Sequence, residues 1–204
     1  MGMYGILRRA SAADVVRLRA DPSLVEPFLF GEPPAMVDAG PRGLLGFLLR
    51  LTPIKIQRVA DTQPEGPPRW PEAAAGEELN LDKAWHGLHF LFTGTDDSEE
   101  EPACFMIAGG EDIGEDDGDQ VPRLLDPAQV RDFAAFLGAL THDELRRRFD
   151  PARMTALRIY PDVTWNRPDE ADQLLGFLLG AFDELRTFMA AAAAAGDSVV
   201  ITIS

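Results

Sequence analysis

The sequence predicts an α+β domain, dominated by helices, with a small sheet that takes in both ends of the chain. Three observations carry that expectation. A short apolar segment opens the chain at residues 3–7, and a β-branched one closes it at 199–203. Between them, apolar residues recur at helical spacing rather than in alternation. Helix-start signals punctuate that pattern, above all Asp126-Pro127 and Thr141-His142-Asp143-Glu144. At 204 residues and 46% hydrophobic, the chain fits one domain spanning 1–204. A domain of this size buries about 70% of the surface its unfolded form exposes, so it needs no disulfide or metal to fold.

The elements follow in order. Residues 3–7 read as the opening strand, and Ser11 caps a helix with Asp14 at its third position. Asp21-Pro22 starts a short helix whose apolar face is Leu24, Val25, Phe28 and Leu29. Residues 31–43, with three prolines and three glycines, read as loop, and 44–51 as an apolar helix ended by Thr52-Pro53. Residues 61–78 add four more prolines and charge, and read as an irregular loop inserted in the domain. Residues 79–92 read as a helix, with Leu81, Trp85, Leu88 and Phe92 on one face. Asn80 is its expected N-cap, Asp82 and Lys83 stand in its first turn, and Gly94 stops it. Residues 103–108 read as strand or short helix, and 109–120 as an acidic, glycine-rich loop. Asp126 and Thr141 each open a further helix, and Asp150-Pro151 starts another turn. Asp169 is expected to cap the longest one, with a buried stripe of Leu174, Leu175, Leu178, Phe182, Leu185 and Met189, ended by Gly196. The closing strand is placed near the opening one.

Charge and cysteine content exclude several classes. The net charge is −15, and residues 61–120 alone sum to −15. Such a surface repels phosphate backbones, so nucleic acid is not an expected partner; a basic or cationic protein is. No apolar stretch reaches the roughly 20 residues that span a bilayer. The start of the chain lacks the apolar core of a signal peptide, and Ile6 stands where a myristoylation signal wants Ser or Thr. Cys104 is the one cysteine, which excludes an internal disulfide and fits a reducing cytoplasm. Arginine outnumbers lysine 17 to 2, so Lys83 stands out as a compact ammonium kept where arginine is the habit.

The segments MGMYG, LDKAWHGLHFLFTGT, VPRLLDPAQV, RIYPDVTW and GDSVVITIS occur in this order over nearly the whole chain. In them the sequence resembles the YfbM-like family, small bacterial proteins with a domain of unknown function. The most specific pieces are Asp82, Lys83, Trp85, Leu88, His89, Thr93 and Gly94, and then Tyr160, Pro161 and Trp165. The resemblance implies an α+β fold. It implies no reaction, cofactor or catalytic residue.

Asp82, His86, His89 and Thr93 recur at spacings of 4, 3 and 4, a polar edge beside the apolar stripe. A half-buried His89 can serve as a general base or a switch; the ordinary alternative is a histidine hydrogen-bonded in the core. His86 and His89 do not by themselves make a metal motif, and none of the phosphate-loop, calcium-loop or nucleophile-elbow patterns is present. No metal or cofactor is therefore expected. Lys83 and Tyr160 are residue types that pair in proton transfer. Two functions stand. The first is a non-enzymatic binding protein whose acidic surface, with Trp70, Trp85 and Trp165, engages a basic partner. The second is an enzyme or small-ligand protein with a cleft near Asp82, Lys83, His89 and Tyr160. Trp85, Thr93, Arg123 and Trp165 are the candidate ligand contacts.

Overall fold

A computed structural model of the chain describes residues 2–31, 76–114 and 121–204. Strand β1 (Gly5–Ala10) leads into helices α1 (Ala12–Ala20) and α2 (Val25–Phe30). Strand β2 (Glu78–Asn80) precedes α3 (Ala84–Thr93), and β3 (Glu111–Asp112) and β4 (Arg123–Leu125) precede α4 (Pro127–Ala139). Helices α5 (His142–Arg148), α6 (Pro151–Ala156) and α7 (Ala171–Ala195) then lead to strand β5 (Ser198–Ile203). The fold is α+β, as the sequence predicts.

The sheet is antiparallel with order β2-β1-β5-β4-β3, so the first and last strands pair at its centre. Every residue of β5 is buried. Val199, Ile201 and Ile203 join a large core with Leu88 of α3, Phe133 of α4 and Phe182 and Leu185 of α7. Val200, between them, joins a smaller core with Leu18 of α1 and Phe28 of α2. Helices thus cover both faces, which is why the closing strand reads as a continuous apolar run.

Local caps explain most helix starts. Ser11 with Asp14, Asp126 with Gln129 and Thr141 with Glu144 form reciprocal capping boxes. Asp150 accepts from the Arg153 amide. Gly94 and Gly196 end α3 and α7 in the left-handed conformation.

Several expectations need correction. The opening strand runs Gly5–Ala10 rather than 3–7. Residues 78–80, at the start of the expected helix 79–92, form β2, because pairing of Leu79 with Leu7 of β1 outweighs the helical pattern. Asn80 caps a turn instead of a helix: its side-chain oxygen accepts the Asp82 amide, and Asp82 takes φ 48°. Residues 103–108 form successive turns, neither strand nor helix. The expected loop 109–120 contributes β3, and β4 is a strand that the sequence did not announce. Asp169 lies in a 3₁₀ turn (Pro168–Glu170), and Glu170 occupies the N-cap position without a side-chain bond. The helix at 44–51, most of the loops at 31–43 and 61–78, Trp70 and residues 115–120 lie outside the described residues.

Gly5 sets the distance between sheet and α3. A Cβ there would lie 2.8 Å from the Trp85 Cβ, an atom fixed to its own backbone. Gly138, in α4, has open space instead. Gly5→Ala is therefore expected to cost about 1–3 kcal/mol, and Gly138→Ala to add up to about 1 kcal/mol. Urea unfolding of both variants checks this; a Gly5→Ala protein as stable as the parent would contradict it.

Candidate functional site

The candidate site is built where α3 meets β1. Leu81 donates its amide to the Gly5 carbonyl (2.8 Å), and Gly5 donates back to the Asp82 carbonyl (3.0 Å). These bonds fix Lys83 at the N-cap of α3, where no side chain caps the helix. Asp82 points to solvent. The empty Cβ position of Gly2 lies 3.2 Å from Lys83 Cε, 3.4 Å from the Tyr160 hydroxyl and 3.5 Å from the Tyr4 hydroxyl. The Met3 amide donates to the Tyr160 hydroxyl (2.9 Å), and the Lys83 ammonium lies 5.9 Å from the centre of the Tyr4 ring. Lys83 and Tyr160 are thus brought together. Gly2 and Tyr4 complete the group, and the sequence reading missed both; the one signal was their place in MGMYG.

Beneath this group the Trp85 ring stacks on His86 at 4.8 Å and on Tyr160 at 5.6 Å. His86 Nδ1 accepts the Tyr160 amide (2.9 Å). Its Nε2 therefore carries the hydrogen and donates to the Asp96 carbonyl (2.9 Å). Burial holds the His86 pKa below its ordinary value, against the pull of that carbonyl bond. His86 is the residue that ties α3 to the segment around 160.

His89 corrects the expectation of a hydrogen-bonded core histidine. It is fully buried, and neither ring nitrogen has a partner among the described residues. Burial first, then the neighbouring His86 and Arg123, push its pKa down to about 4. The buried Trp85 indole nitrogen is likewise without a partner there.

The other candidates serve the scaffold. The Thr93 hydroxyl donates to the His89 carbonyl (2.8 Å), and Trp165 Nε1 donates to the Ile159 carbonyl (2.7 Å). Arg123 donates to the carbonyls of Gly109 (2.9 Å) and Met106 (3.0 Å), holding the turns after Cys104. Cys104 is buried, which raises its thiol pKa. Among the described residues no three His, Cys, Asp or Glu side chains gather as a metal site would require.

A second feature lies at the sheet edge. Glu77, Asp183 and Glu184 stand around a groove of about 400 Å³ between β2 and α7, floored by Leu79 and Phe188, and Glu78 lines it with its carboxylate drawn to Arg8. Arg8 and Arg9 pair with Glu78 and Glu77 from the β1 side, and Asp183 meets His142 and Arg186. Asp82, Lys83, His89 and Tyr160 do not line this groove.

The buried His89 gives stability a pH dependence. Its pKa is near 4 folded and 6.5 when exposed, so below pH 6.5 the unfolded chain takes a proton that the folded one refuses. Its contribution is complete above pH 6.5 and falls by about 3 kcal/mol as the pH drops to 4. In urea titrations across that range, His89→Phe is expected to flatten the decline by about that amount. Parallel declines in the two proteins would contradict this.

The comparisons with known proteins agree with the fold. Protein YfbM of Escherichia coli (strain K12) is 30% identical over 107 residues, which is 50% of this chain and 62% of that protein. The crystal structure of YfbM from Escherichia coli, a protein of unknown function, matches with a TM-score of 0.63 at 19% identity. That match covers 98% of this chain and 99% of the other. A family model described as a domain of unknown function, DUF1877, matches residues 1–202, and the chain belongs to that family.

Proposed function

We propose that this chain is a binding protein that takes a basic, extended segment of a protein partner along the groove between β2 and α7. The observation that carries the reading is the composition of that groove: four acidic residues, three of them ion-paired, around an apolar floor. Carboxylates steer and orient a basic chain, and the floor gives its aliphatic stems something to cover. The backbone supports it too. Arg9 donates to the Glu77 carbonyl, so by antiparallel alternation Leu79 turns its amide and carbonyl to β1 and Glu78 turns its own outward. No strand covers that outer edge among the described residues, which leaves backbone groups for strand addition. A cytoplasmic setting belongs to the same reading, supported by the single, buried, reduced Cys104. No described helix is long and apolar enough to cross a membrane.

A labelled peptide of about ten residues, alternating lysine with valine, tests this by fluorescence anisotropy. Saturable binding is expected at low salt, weakening as salt rises, and an acidic counterpart should not bind. Glu77→Lys with Glu184→Lys should weaken it at least about tenfold, or ~1.4 kcal/mol. Unchanged binding in that double variant, or no binding to the parent, would overturn the reading.

A further inference from the structure

We propose that Gly2, Tyr4, Lys83 and Tyr160 form a binding site for a small oxyanion, the phosphate or carboxylate group of a small molecule.

Two hydroxyl donors and the end of the lysine stem converge on one point. The two phenolic oxygens and Lys83 Cε all lie within 3.5 Å of the position that a side chain on Gly2 would occupy. Two hydroxyls held that close are bridged by the oxygens of one phosphate or carboxylate, each bond spanning about 2.7 Å. The Tyr160 hydroxyl already accepts the Met3 amide, so its own hydrogen is left to donate. The Lys83 ammonium lies over the Tyr4 ring, and its stem is anchored at the N-cap of α3. Positive potential from that uncapped helix end adds to the ammonium charge. Gly2 keeps the approach open.

The group is also fixed in place. The Tyr160 ring stacks on Trp85, and its amide is held by His86. Tyr4 exchanges both backbone hydrogen bonds with Ser204, beyond the end of β5. Three distant parts of the chain thus present donors to one spot without needing to rearrange, which lowers the ordering cost of binding. Lysine suits the position: a flexible stem with a point charge reaches a shared oxyanion where a planar guanidinium would demand two aligned acceptors. Asp82 beside it and the net charge of −15 work against an anion, so affinity in the millimolar range is expected.

The experiment is an amide NMR titration of the whole chain with sodium phosphate and, separately, sodium acetate, at constant ionic strength. Saturable shifts at Met3 and Tyr4 are expected with at least one of them, and the tighter anion identifies the group that the site prefers. Lys83→Gln should weaken binding about tenfold or more. Tyr160→Phe keeps the stacked ring and should weaken it several-fold. Gly2→Val puts methyl groups among the donors and should abolish it; its contacts are the far ends of side chains, so the fold should persist. If neither anion gives saturable shifts, or if Lys83→Gln binds as tightly as the parent, the site is wrong. The Lys83→Gln result decides the matter even if Gly2→Val fails to fold.

Discussion

The antiparallel pairing of β1 with β5 is the constraint on which the rest of the structure depends. Six register pairs, from Gly5↔Ile203 to Ala10↔Ser198, join segments nearly two hundred residues apart. That closure costs chain entropy, and the burial on both faces offsets it. Val199 and Ile201 anchor α3, α4 and α7 on one side, while Val200 anchors α1 and α2 on the other. Register here also sets the geometry around α3. A one-residue slip would exchange the two faces and move Gly5 out from under Trp85.

From that centre, β1 organises two chemically opposite surfaces. At its start, Gly5 exchanges hydrogen bonds with the lead-in to α3, which sets Lys83 beside Gly2 and Tyr160. Along its outer side it carries β2, which borders the acidic groove and whose Glu78 is paired with Arg8. The interior between them is costly. His86 has both nitrogens bonded, but His89, one turn on, is fully buried with neither nitrogen bonded among the described residues. A neutral imidazole is the only form such a site tolerates well, and its burial makes acid the natural route to destabilising the fold.

Much of the fold was legible because it rests on local chemistry. Ser11, Asp126 and Thr141 announce helices through bonds made within three residues, Asp150 announces a turn that the structure extends into α6, and Gly94 and Gly196 announce helix ends. The family was legible too, in motif residues such as Trp85 and Tyr160, whose rings stack on each other. Elements held by pairing alone were not. The strands β2, β3 and β4 have two or three residues each, too few for a periodicity to show. Of the candidate site, Lys83 and Tyr160 were legible as residue types, and their meeting was not, because it runs through His86 and Gly2. His89 read as polar edge and is interior. Thr93, Arg123 and Trp165 looked like ligand contacts because they are polar or aromatic; their polar atoms are spent on backbone carbonyls.

The direct test of the β1–β5 pairing as the centre of the fold is native-state hydrogen exchange resolved by residue. Amides of β1 and β5 should fall in the slowest class, exchanging only when the whole domain unfolds, with α5 and α6 opening earlier. Exchange of β1 and β5 amides through a smaller opening, while α7 stays protected, would contradict the account.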